Sequence, residues 1–455
     1  MGKKRNAFAV LGAVALVVAS LATGCAGREA LPPEEVTLKV WSWDGSFNEY
    51  AADFMAEYPH IRLVRIAPYS ETAGFGFDDA YMTKNVQAMD AAQPDVALMT
   101  AQEYIRLSEE GKLLSLEALV ERPEFDGASY SPYVLSLLRA QGGGELFGVS
   151  QEFFNEALFY NKTLFSEYGV TEPREGMSWA ETLELAASFP GNGEDGIAGY
   201  FAGVRKDISP WWLLQDIGLA AGLEYADEER RKFIVATDGW ANVWKKVSEG
   251  YASGSILELA KEQPLNALGD EMPFPPEDAY GPFLSGRAAM MRQDAAFVQF
   301  LKQQALPFEW GVVSEPVDPD VGEGVSMQPG NPYGVFRTSA HPDEAWQYIT
   351  FVTRQEMTGR VLELGSLPAR KDGPLSAEPA YAPFYGPRPS PYGNYYQFNR
   401  KQPPSEVMAR FIALANSRFA DVVAEKLTVE EALLRLEQEA TAVWTATPEP
   451  DGGAK

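Results

Sequence analysis

The chain has 455 residues, 45% hydrophobic and 22% charged, which is ample for a buried core spread over two or three domains. Its 64 acidic and 38 basic residues leave a net charge of −26. That charge repels phosphate backbones and an anionic membrane surface, and so argues against nucleic-acid binding and electrostatic membrane adhesion. Two histidines and one cysteine argue against a His-based metal site or a Cys–His pair and rule out an internal disulfide.

Lys3, Lys4 and Arg5 precede an uncharged run from Ala7 to Thr23 that is too short to span a membrane. This is the form of a secretory signal over residues 1–24. The segment Leu21-Ala22-Thr23-Gly24-Cys25 resembles a bacterial lipoprotein box, which implies acylation of Cys25 and a lipidated tether over 25–35 with Pro32 and Pro33. Ordered structure is expected from Val36. VTLKVWSW alternates as a strand, 46–58 has helical spacing up to Pro59, and IRLVRIA is a second strand. A helix over 77–92, the strand DVALM and a short helix over 104–110 follow. Strand and helix in alternation predict a parallel sheet wrapped by helices, with ligands beyond the carboxyl ends of the strands. Further on come the runs ELFGVS and ALFYN, a helix in SWAETLELAASF, the segment SPWWLLQDIGLAAG, and a helix capped by Thr237 or Asp238. A Pro/acid loop over 264–282 precedes the strand GRAAMM, a helix over 294–301, the strands WGVVSEPV and PYGVF, and the helix HPDEAWQYITFVTR. Residues 374–398 are rich in Tyr and Pro and read as an irregular loop. Two C-terminal helices are expected over 404–444, and a disordered tail over 447–455.

Nine segments in order span most of the chain: VWSW (40–43), YPHIRL (58–63), QPDVAL (93–98), EEGKLLSL (109–116), LFYNKTLFSEYGV (158–170), SWAETLELA (178–186), GRAAMM (286–291), HPDEAWQYITFVTRQE (341–356) and GSLPAR (365–370). Together they resemble the extracellular solute-binding proteins of ABC importers, the group that includes maltodextrin-binding proteins. The resemblance implies an α/β, two-lobed fold of the periplasmic-binding type, with discontinuous lobes joined by crossing hinge strands. One lobe would hold 36–150 plus 330–368 and the other 154–328 plus 372–446. It also implies a monomer, anchored by lipid to the outer face of the bacterial membrane, that hands a carbohydrate to the transmembrane subunits of an ABC permease. No catalytic residue, cofactor or metal is expected.

A sugar site needs aromatic platforms for ring faces and carboxylates, amides or arginine for hydroxyls. Candidates at strand ends are Trp43, Asp44 and Tyr69 in one lobe, and Trp211, Trp212 and Asp294 in the other. Adjacent helical residues diverge by about 100°, so one of Trp211 and Trp212 is expected to face outward and the other to enter the core. Glu152, Asn155, Asn331, Tyr333 and Arg370 lie near the expected crossings. Asp44 and Asp294 also suit helix caps, and Trp240, Trp244 and Trp346 suit the core. Three alternatives remain open: a glycoside-active enzyme with paired carboxylates, a sensor or adhesin, and a binding protein for a peptide or polyamine.

Overall fold

The computed structural model describes residues 34–68, 79–191, 196–266, 271–317, 323–324, 326–357, 365–386, 388–390 and 403–448. The signal expected over 1–24, Cys25, Tyr69 and the tail from 449 lie outside them. Among the described residues no helix is long and apolar enough to cross a membrane.

Two five-stranded sheets organise the chain. The first has the order Ile61–Ile66, Val36–Trp41, Val96–Leu98, Pro332–Val335, Gly148–Ser150. Its first three strands pair in parallel, and Pro332–Val335 runs antiparallel to both of its neighbours. Val36–Trp41 alternates buried and exposed residues before both faces close over Val40 and Trp41, while Val96–Leu98, deeper in the sheet, is buried throughout. That is the pattern expected of strands covered on both faces.

The second sheet has the order Ile256–Ala260, Ala198–Arg205, Ala288–Asp294, Glu156–Asn161, Trp310–Ser314. The first three are again parallel. Glu156–Asn161 runs antiparallel to both Ala288–Asp294 and Trp310–Ser314. Helices Trp211–Ala220 and Asp238–Ser253 pack together on this sheet with Trp211, Trp240 and Trp244 fully buried. Gly218 permits the approach, since a Cβ there would lie 2.3 Å from the Trp240 ring. The C-terminal helices Ser405–Val423 and Val429–Ala446 complete this core, with Phe411 stacked on Phe233 at 4.2 Å and Trp444 beside it. Each such ring contributes on the order of 2–3 kcal/mol of burial. Local signals fix the helix starts. Thr237 caps Asp238–Ser253, and Ser178 and Thr428 form capping boxes with Glu181 and Glu431.

A three-stranded sheet of Gln328–Pro329, Glu152–Phe154 and Leu367–Pro368 joins the two. The chain passes between the large sheets at each of these strands, so neither lobe is continuous in sequence. The fold is two-lobed and α/β, with crossing strands as its hinge. One local expectation is corrected. The Pro/acid segment is not all loop, because Pro276–Ala279 and Gly281–Leu284 form single helical turns with Phe283 buried. Pro276 and Pro282 at the starts of these turns suit helical φ where no N–H is needed.

Candidate functional site

Topology sets two strand edges against each other. In the first sheet, Val36–Trp41 ends at Ser42-Trp43 and Val96–Leu98 at Met99-Thr100. Gly148–Ser150 leaves from the same edge, where the Met99 N–H donates to the Pro332 carbonyl at 3.0 Å. In the second sheet, Arg205, Ala260 and Asp294 end the parallel strands, and Glu156 begins its strand opposite Asp294. Trp310–Ser314 finishes at that edge too, followed by Glu315. Only the short crossing Glu152–Phe154 separates Ser150 from Glu156. The two carboxyl-end edges therefore face each other across the hinge, the place where open α/β sheets receive ligands.

Charge gathers on the second edge. Arg292 pairs with Glu156 at 2.5 Å and with Asp216, and lies 5.4 Å from the centre of the Trp179 ring. Burial pushes the Glu156 carboxyl up, and Asp216 and Asp294 push the same way, while Arg292 pulls it down. Yet 37% of the Glu156 side chain is exposed. The carboxyl is thus partly open to water at the strand edge, where a solute could reach it. Glu315, fully buried behind it, is pushed up to about 7, chiefly by burial and against the pull of Arg292. Arg205 reaches Glu258 at 3.5 Å and lies 5.5 Å from the Trp212 ring centre. Carboxylates accept hydroxyl protons, the guanidinium donates, and an exposed indole offers an apolar face.

The residues singled out in the sequence divide sharply. Trp212 is 42% exposed at the second edge. Asp294 ends its strand there, accepts the Ala296 N–H at 2.9 Å, and has its carboxyl raised mainly by burial. Trp43 precedes helix Asp44–Glu57 at the first edge and is half-buried against the core. Asp44 begins that helix, and its side chain lies outside the described residues. Glu152, on the first crossing, accepts the Ser366 hydroxyl at 2.6 Å, and burial raises its carboxyl. Asn331 is exposed beside the second crossing. These positions surround the facing edges.

Four others serve the scaffold. Trp211 is fully buried, stacked at 5.6 Å on Trp240 and edge-on to Phe411 at 4.6 Å, so its ring belongs to the core. Tyr333 is buried between Val96–Leu98 and Gly148–Ser150, edge-on to Tyr348. Arg370 is buried and spends its guanidinium on Phe125 O, Asp126 and Asp372, pinning a loop. Asn155 is buried in the hinge, where Nδ2 donates to Phe384 O at 2.7 Å.

Sequence reasoning passed over Glu156, Asp216 and Arg292. A signal existed, because Ala288–Asp294 ends in Arg-Gln-Asp after four buried residues, and a strand that turns polar at its carboxyl end is leaving the core. Asp216 carried no such mark inside the apolar WWLLQDIGLA.

Comparison with known proteins agrees with this geometry. The sequence pattern of the bacterial extracellular solute-binding protein family matches residues 41–358. A chain of Brucella abortus (strain 2308), named as a binding protein, is 22% identical over 391 residues, covering 81% of this chain and 82% of that one. Among solved structures, a family 1 extracellular solute-binding protein from Alicyclobacillus acidocaldarius superposes with a TM-score of 0.62 at 17% identity, covering 91% of this chain and 99% of that one. The sugar-binding protein MalE of Xanthomonas citri gives 0.58 at 18% identity, covering 90% and 97%. A sugar transporter from Rhizobium etli in an open conformation gives 0.57 at 18%, covering 90% and 100%. These structures share the two-lobed fold, and the family match covers well over half of the sequence. The chain belongs to the bacterial extracellular solute-binding proteins, a family that binds solutes outside the cytoplasm.

Proposed function

We propose that this protein captures a sugar or short oligosaccharide between its lobes and delivers it to the transmembrane subunits of an ABC permease. The observation that carries this reading is the exposed Trp212 beside the Glu156–Arg292–Asp216 group, at strand ends that face the other lobe. A ring face can lie on the indole while hydroxyls meet the charged groups. Sugar-binding neighbours of the same fold support the reading. The lobes are 36–150 with 330–368, and 154–328 with 372–446, and they close on the ligand about the three crossings. Trp43, Glu152 and Asn331 are the contacts from the first edge and the hinge, and Asp44 and Tyr69, outside the described side chains, remain candidates from the sequence. The protein works without catalysis as a monomer, held at the outer face of the membrane by a lipid on Cys25.

A thermal-shift screen against neutral oligosaccharides, acidic sugars, peptides and polyamines tests the ligand class, because a ligand that binds only the folded state raises its stability. A shift with oligosaccharides is expected; shifts with peptides or polyamines alone would overturn the sugar reading. For the anchor, Cys25→Ser should move the protein from the membrane fraction to the soluble one, and unchanged fractionation would refute lipidation.

A further inference from the structure

The three passages of chain between the lobes meet in one hydrogen-bonded group. Asn155 directly follows the first crossing, and Ser326 stands just before the second. Phe384 lies in a turn tied to the third, since the Tyr385 hydroxyl donates to Pro368 O at 3.2 Å. The Ser326 hydroxyl donates to Asn155 Oδ1 at 2.8 Å and accepts the Glu156 N–H at 3.2 Å. Asn155 in turn donates to Phe384 O. The Ser326 N–H faces both carboxylate oxygens of Glu315 at 3.3 Å. Glu315 is fully buried and interacts electrostatically with both Arg292 and Glu156. It is backed by Gly324, where a Cβ would fall 2.1 Å from Oε1.

We propose that Glu315 is a positioning residue that sets the hinge and the second strand edge together: through Ser326 it fixes the second crossing to the strand that presents Glu156, and the charge on Glu315 decides how firmly. This rests on the reading that the cleft takes a solute. Burial, the dominant cause, brings the carboxyl to about 7, so its charge changes near neutral pH. An ionised carboxylate holds an N–H about twice as strongly as a neutral acceptor does. That gain is smaller than the burial penalty, which keeps the folded value raised, so the group is firm below neutrality and loosens above it. The charged groups that act on Glu315 are Arg292 from one strand and Glu156 from the next, and Asp294 acts on Glu156. Asp216 adds its charge through Arg292, and Glu323, paired with Arg388, stands beside Gly324. Of these, Arg292 opposes the upward shift and Glu156 adds to it.

The test is hydrogen exchange of the ligand-free full chain between pH 6 and 8, corrected for intrinsic rates, in the peptides that carry Ser326 and Glu156. Wild type should lose about tenfold in protection as pH rises, because the carboxyl that ionises is bound more tightly to its proton in the closed group than in an opened one. Glu315→Gln should fold and show no such step. Gly324→Ala, which displaces the carboxyl without removing it, should lose the step as well. A step that survives in both variants overturns the proposal. Titration with maltotriose, cellotriose and xylotriose over the same pH range separates the two readings. If no saccharide binds while the exchange step is present, the sugar reading fails and the positioning role stands. A saccharide that binds wild type and Glu315→Gln with the same pH profile overturns the coupling to binding.

Discussion

The two facing strand edges occupy equivalent places in their sheets and are built in opposite ways. At the first, Glu103 is buried, but neutral groups satisfy it. It accepts the Thr100 N–H and Asn85 Nδ2 at 2.8 Å each, closing a capping box on helix Ala101–Glu109. At the second, Glu156, Asp216 and Glu315 surround a single guanidinium, and like charge from Asp216 and Asp294 adds to the burial that raises Glu156. The first edge is assembled for stability. The second gathers like charge around one arginine, which fits the binding role proposed for it.

Four measurements break or sharpen that contrast. The largest effect is expected within one dipeptide of the second edge. Trp211→Ala should cost about 3–5 kcal/mol of folding stability, as for a large ring removed from a packed core. Trp212→Ala should stay within about 0.5 kcal/mol in the same denaturant titration, as an exposed substitution does. It should instead lose about 1–3 kcal/mol of saccharide affinity, roughly tenfold to hundredfold by calorimetry. Unfolding by both would place the platform elsewhere.

Next, Arg292→Met strands buried carboxylates and should cost about 3 kcal/mol at pH 8. The loss should shrink toward pH 5, because Glu156 and Glu315, already raised by burial, then take up protons. A loss independent of pH would mean that the arginine acts through packing alone. At the first edge, Glu103→Gln removes one acceptor from a neutral set and should cost only about 1 kcal/mol. A larger loss would show that this edge also depends on charge.

The smallest effect concerns the stability of Glu315→Gln. A carboxyl whose folded value is raised from 4.5 to about 7 contributes stability that is complete below the lower value and lost as pH climbs through the upper one. The melting temperature of Glu315→Gln relative to wild type should therefore rise from pH 5 to pH 8, by an equivalent on the order of 1 kcal/mol. A gap that stays constant would leave Glu315 in one protonation state throughout.

Much of the fold was legible because its signals are local. Alternation in Val36–Trp41 and Ile61–Ile66, the spacing of helix Asp44–Glu57, and the cap at Thr237 need only neighbouring residues to be read. The site was legible only in part, since exposure is decided by partners far away in sequence. Trp211 and Trp212 are equally apolar. It takes Phe411, some two hundred residues later, to cover one and leave the other bare. Arg292 reads as an ordinary strand residue until antiparallel pairing brings Glu156 beside it. Arg370 looked like a ligand contact because nothing near it in sequence shows that Phe125 and Asp126 hold it.

The strand Pro332–Val335 has a consequence for biosynthesis. It lies between Val96–Leu98 and Gly148–Ser150, with Tyr333 opposite Leu98. Those earlier strands have no pairing to each other, so the first sheet stays open until the later one leaves the ribosome. At ribosomal speeds of about 5–20 residues per second, the delay between Leu98 and Tyr333 is on the order of 10–50 s. Throughout that interval the first three strands can pair with one another, but Gly148–Ser150 has no neighbour to join, so the first sheet is finished only after the second has been made.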